Sequence, residues 1–122
     1  FAYTILYVED VAATLDFYTR AFGLERKMLH DAGDYGELQT GATTLAFASR
    51  QMLRDMGKSP AVPGSPTFEI AFTTDDVVAA VEQALAAGAQ LVDAPHQMPW
   101  GQTIAYVSDN SGFMVEICTP MG

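Results

Sequence analysis

The sequence predicts an α+β fold built from two tandem βαβββ modules. A strand, a capped helix and a glycine stop occur in that order twice, about 66 residues apart. Each copy is then followed by strand-like stretches separated by turn residues.

Tyr3 to Val8 (YTILYV) is rich in β-branched and aromatic residues and reads as a strand buried on both faces. Asp10 is placed to cap a helix whose Val11, Leu15, Tyr18 and Phe22 fall on one stripe, and Gly23 ends it. Strands follow at Glu25 to His30, Tyr35 to Gln39 and, after the Gly41 turn, Thr43 to Ser49. The second copy runs Glu69 to Thr74, cap Asp76, stripe Val77, Val81, Ala84 and Leu85, and stop Gly88. Its further strands are Gln90 to Val92, Thr103 to Val107 and, after DNSG, Phe113 to Thr119. The whole reads as one domain, with module one at 1–49, a linker at 50–66 and module two at 67–122. The linker holds three prolines and two glycines after a short helical turn near Gln51 to Met56. Arg50, Arg54 and Lys58, four apart, mark a solvated helix face there, and Met52, Leu53 and Met56 either pack on the domain or cover a pocket.

Charge narrows the partners. Six Lys and Arg against fifteen Asp and Glu give a net charge of −9, which repels nucleic-acid phosphates and anionic membrane surfaces and favours a cationic ligand. No apolar run approaches the roughly 20 residues of a membrane span, and the start lacks the basic region of a signal peptide. Neither a nucleic-acid nor a membrane partner is expected. Cys118 is the only cysteine, so an internal disulfide and a cysteine metal cage are both excluded, which fits a cytoplasmic location.

With DFYTRAFGLE in the first copy and YVSDNSGFMVEICTP closing the second, the chain closely resembles the vicinal oxygen chelate superfamily, the family of glyoxalase I, the bleomycin-resistance proteins and the extradiol dioxygenases. The resemblance covers nearly the whole chain. It implies curled mixed sheets around a concave pocket, commonly a homodimer, and in the metalloenzymes a divalent ion held from the first and last strand of each module. At those positions stand Tyr3, Leu45 (or Phe47 after a register slip), Glu69 and Glu116. Only the two glutamates are ligand types, so no cofactor is expected. If a divalent metal binds at all, Glu69 and Glu116 are its ligands. His30 and His96 lie away from these positions and read as surface residues.

Strand alternation groups the pocket neighbours. Tyr3, Ile5 and Tyr7 share one face, Thr43, Leu45 and Phe47 another, with Glu69, Ala71 and Thr73, and Met114, Glu116 and Cys118, in module two. The expected cavity is apolar and aromatic, with two carboxylates at its floor. Glu69 and Glu116 either form a functional pair, binding a cation or acting as general acid and base, or Glu69 simply marks a solvated strand end. Trp100, beside Gly101, either stacks on a ligand or closes the end of the core. These residues favour a protein that sequesters a cationic or aromatic drug-like molecule without metal, as in antibiotic resistance. The alternatives are a lyase, isomerase or dioxygenase related to glyoxalase I, with Glu69 and Glu116 catalytic, and a regulatory partner whose cavity is vestigial.

Overall fold

The computed structural model describes residues 1–121. They form two compact units, the first Phe1–Val62 and the second beginning at Pro63. The first holds β1 (Tyr3–Val8), α1 (Val11–Phe22), β2 (Glu25–Leu29), β3 (Tyr35–Gln39), β4 (Thr44–Ser49) and the short α2 (Arg50–Asp55). The second holds β5 (Ile70–Thr73), α3 (Val77–Ala86), β6 (Gln90–Gln97), β7 (Thr103–Ser108) and β8 (Met114–Cys118). Their sheets run β1-β4-β3-β2 and β5-β8-β7-β6, and neither closes. In each, the first and last strands pair in parallel and the others pair antiparallel. The chain therefore repeats one mixed α+β unit.

The helices begin where their caps dictate. Asp10 accepts from the Ala13 amide at 3.0 Å, and Asp76 accepts from the Ala79 amide at 3.0 Å, each satisfying one of the orphan donors of a first turn. Gly23 closes α1 in the left-handed region at φ 71°, while α3 ends at Ala87 with Gly88 just beyond. One face of α1 buries Val11, Leu15, Phe17 and Tyr18. On α3 the buried set is Val77, Val81 and Ala84, with Leu85 at its exposed edge.

The sheet surface under α1 is set by Leu6, Val8, Leu38, Leu45 and Phe47, all buried. Phe47 is fully enclosed, its ring 4.9 Å from that of Tyr18. Gly36 lets the helix approach here, since a Cβ at this position would stand 2.6 Å from Leu15 Cδ1. Gly36→Ala is expected to cost about 1–3 kcal/mol through overpacking, measurable by urea denaturation.

Two local expectations are corrected. Beyond Val92, where the sequence suggests a loop, β6 continues through Pro95 to Gln97. It is the edge strand of its sheet and irregular in register at two points, and these are the settings in which a strand tolerates proline. Arg50 does not lie on a solvated face: it is 4% exposed and joins Arg54 in binding Glu9 Oε1, each at 3.1 Å. The two guanidiniums hold the Glu9 carboxyl below its ordinary range. In α2 Leu53 is buried and, just beyond it, Met56 is exposed. Among the described residues no helix is long and apolar enough to cross a membrane.

Candidate functional site

In the second unit the β7–β8 hairpin builds the site. Asp109 is buried, and its Oδ1 accepts from the amides of Ser111 at 2.9 Å and Phe113 at 2.8 Å. Gly112 follows at φ 94°, a conformation that favours glycine. This closes the turn so that Met114 pairs with Ser108 and Glu116 with Tyr106. Val115 and Ile117 then point into the core, leaving Met114, Glu116 and Cys118 on the other face. The spacing from Asp109 through Gly112 to Glu116 thus has a direct cause: the turn sets the register, and the register aims the carboxylate.

Around Glu116 a polar cluster forms. The Tyr106 hydroxyl donates to Glu116 Oε1 at 3.0 Å. Glu69 comes from just before β5, and its carboxyl approaches both Tyr106 and Glu116. Its pKa is raised above the ordinary 4.5 by desolvation first and then by the like charge of Glu116, with the Tyr106 hydroxyl opposing. Burial and the bond to Glu116 push the Tyr106 phenol up to about 12. Burial likewise pushes the Cys118 thiol to about 11, with Glu116 adding to it. Cys118 therefore stays a thiol at neutral pH. Its alkylation by iodoacetamide at pH 8 is expected to be at least ~100-fold slower than that of an ordinary exposed cysteine, measured by mass spectrometry.

Glu116 and Tyr106 face an open cavity of about 420 Å³. Met98, Trp100, Ile104 and Met121 supply its apolar wall, and Asp93 and His96 its far rim. The His96 ring lies 3.8 Å from Asp93 and 2.9 Å from the Ala94 carbonyl. Trp100 is 61% exposed, so it does not close the core. Its Nε1–H donates to Gln102 Oε1 at 2.9 Å.

The first unit has an open face of its own. Tyr3, Ile5 and Tyr7 stand on it, exposed, so β1 is buried on its helix side alone and not on both faces as its composition suggests. By strand register Ile5 pairs with Ala46 and Tyr7 with Ala48, so Leu45 and Phe47 lie on the opposite, helix-packed side. The expectation that Leu45 or Phe47 occupies the position matching Glu116 is therefore corrected. Ala71 pairs with Glu116 as Ile5 pairs with Ala46, which makes Ala46 the equivalent residue. Both turns carry a positive-φ glycine, Gly41 and Gly112, but Ala42 and Thr43 precede β4 where Phe113 alone precedes β8. That extra residue turns every β4 side chain to the other face.

The same face carries a pair that sequence reasoning missed. The Tyr35 hydroxyl donates to Glu37 Oε2 at 2.7 Å, and Lys27 Nζ lies 3.6 Å from Glu37 Oε1. Burial and Glu37 together push Tyr35 up to about 12. Alternation along β3 places these two side chains together, but nothing in composition marks them. Tyr106 is legible by another route, since counting back across the DNSG turn brings it opposite Glu116.

At the positions that the resemblance assigns to metal ligands, the first unit carries the phenol of Tyr3 and the methyl of Ala46, and the second carries the carboxylates of Glu69 and Glu116. Among the described residues no three His, Cys, Asp or Glu side chains are grouped to hold an ion. Within neither unit do these side chains by themselves fit a divalent transition ion, which takes three or more nitrogen, sulfur or carboxylate ligands.

Comparison with known proteins agrees with this architecture. The family model for the Glyoxalase/Bleomycin resistance protein/Dioxygenase superfamily matches residues 1–117. Uncharacterized mycobacterial proteins are 30% identical over an alignment 118 residues long that covers 88% of this chain. The match spans 74% of the Mycobacterium bovis protein and 66% of one from Mycobacterium tuberculosis. A probable lactoylglutathione lyase of Vibrio cholerae is 27% identical over 125 residues, covering 94% of this chain and 86% of its own. Among solved structures, a glyoxalase-related enzyme from Fulvimarina pelagi superposes with a TM-score of 0.84 at 26% identity, over 98% of this chain and 87% of its own.

Proposed function

The chain belongs to the glyoxalase/bleomycin resistance protein/dioxygenase superfamily, and on that premise we propose that it binds a cationic, aromatic small molecule without a metal. The observation that carries this reading is Glu116, held by Tyr106 beside Glu69 and facing the open cavity walled by Trp100. Two carboxylates at one place resist full ionisation until a cation offsets their repulsion. A flat ring attached to that cation meets the indole face, where stacking and cation–π attraction add to the charge. The net charge of −9 draws cations toward the surface. Sequestration follows from these contacts alone, with no bond made or broken. The test uses Trp100 as its reporter, because it is the only tryptophan. Benzyltrimethylammonium, titrated into protein kept in chelator, is expected to change Trp100 emission saturably. A flat response would remove the proposal.

A second reading, that of an enzyme, draws on the resemblance to the probable lactoylglutathione lyase. Here Glu116 acts as general base and the raised carboxyl of Glu69 as acid. Lyase turnover by the purified protein that is lost in Glu116→Gln would place this reading first.

A further inference from the structure

The side-chain donors around Glu116 are already engaged. The Tyr106 hydroxyl gives its one hydrogen to Glu116 Oε1 at 3.0 Å. The Trp100 Nε1–H goes to Gln102 Oε1 at 2.9 Å, and Gln102 Nε2 donates to the Thr119 carbonyl at 2.7 Å. Met98, Ile104 and Met121 bring no N–H or O–H in their side chains. Among the described residues lining this cavity, only the second hydrogen of the Gln102 amide is left as an uncommitted side-chain donor. Acceptors are in surplus: the carboxylates of Asp93 and Glu116, the Tyr106 oxygen, and one nitrogen of His96.

The His96 nitrogen can be named. Nδ1 lies 2.9 Å from the Ala94 carbonyl, a group that only accepts. The neutral ring therefore carries its hydrogen on Nδ1, and Nε2 holds the lone pair. The Asp93 carboxylate, 3.8 Å from Nδ1, favours the same tautomer by its charge. The ring is 46% exposed, so Nε2 is open to a ligand.

Sheet register sets how far this acceptor stands from the cation site. His96 pairs with Ile104 and Ile104 with Cys118, while in the next row Asp93 pairs with Tyr106 and Tyr106 with Glu116. Two strand spacings across and two residues along put the Cα atoms of His96 and Glu116 about 12 Å apart. One ammonium group cannot touch both. A ligand held by its charge at Glu116 and crossing the cavity of about 420 Å³ brings its far end to His96. An ether or carbonyl there would set lone pair against lone pair, whereas a hydroxyl completes a hydrogen bond.

We propose that the ligand carries a hydroxyl at the end away from its charge, and that His96 is the specificity-determining residue that accepts from it at Nε2. This rests on the reading of Glu116 as the cation site. The experiment titrates metal-stripped protein at pH 8, by calorimetry, with (4-hydroxyphenethyl)trimethylammonium and its methyl ether, and with the 3-substituted pair. Each pair shares charge and ring and differs in the O–H alone. In at least one pair the hydroxy compound is expected to bind about tenfold tighter, the gain of one hydrogen bond to an unmet acceptor. In His96→Phe, which keeps a ring without an acceptor, that ratio falls to near unity while the ether binds as before. A merely structural histidine would weaken both members alike. Equal affinities in both pairs overturn the inference and leave the cation site standing, whereas no binding of any of the salts overturns both. A ratio preserved in His96→Phe overturns the role of His96. So does a ring that nitrogen-15 NMR finds protonated on Nε2 in the free protein.

Discussion

Phe47→Ala is expected to destabilise the protein by about 3–5 kcal/mol, the cost of emptying a fully packed aromatic position. The ring is wholly enclosed, resting on Tyr18 of α1 between Leu45 and Ala48 along β4. Its removal takes away apolar area and leaves a cavity that α1 cannot fill, because Leu15 and Val11 already crowd Gly36. Since a domain of this size holds only about 5–15 kcal/mol in total, the variant is expected to unfold at much lower urea. The result also separates two placements of Phe47. On the open face its loss would weaken ligand binding and hardly touch stability; in the core it does the reverse. A change below about 1 kcal/mol, the usual limit for an exposed site, would contradict the β4 register described here.

The second large effect concerns Glu116. Replacing it with Gln keeps the shape and a hydrogen-bond acceptor for Tyr106 but removes the charge. Affinity for an aromatic quaternary ammonium is expected to fall roughly 10- to 100-fold, the equivalent of a charge-assisted contact of ~1.5–3 kcal/mol. Stability is not expected to fall with it, because the neutral amide would no longer repel Glu69. The carboxyl of Glu69, relieved of that repulsion, should then titrate closer to its ordinary value, which carbon-detected NMR can follow.

The pH dependence follows from the same pair. The folded-state pKa of Glu69 is raised, so the native state holds this proton more tightly than the unfolded chain does. Its contribution favours folding below the ordinary 4.5 and is lost as pH rises through the raised value. A bound cation reverses the preference by favouring the ionised pair. Ligand affinity therefore grows with pH across the window where Glu69 loses its proton, and levels off above it.

Much of the fold is legible along the chain. Asp10 and Asp76 start the helices that their positions predict, and strand alternation alone separates Leu6 and Val8 from Tyr3, Ile5 and Tyr7. What stays hidden depends on pairing. The extra residue after Gly41 exchanges the faces of Leu45 and Ala46, and a register one residue off cannot be seen until strands are matched. Pro95 conceals the second half of β6 because proline's tolerance at a sheet edge depends on a neighbour that the local sequence does not name. In the candidate site, Glu69 and Glu116 follow from position and Tyr106 from the turn that sets it opposite Glu116, whereas Gln102 acts through a partner seventeen residues away. The Tyr35 and Glu37 pair is equally hidden, for its importance comes from the side chains around it.

The most direct test of metal-free cation recognition is the affinity of benzyltrimethylammonium measured by calorimetry from about pH 4 to about pH 8 on protein stripped of metal, a range that begins near the ordinary carboxylate value and runs well above it, the direction in which Glu69 is shifted. This ligand carries a fixed charge, so any pH dependence belongs to the protein. The prediction is saturable binding that tightens as Glu69 ionises and then reaches a plateau. Affinity independent of pH, or binding that begins only when a divalent ion is added, would contradict it.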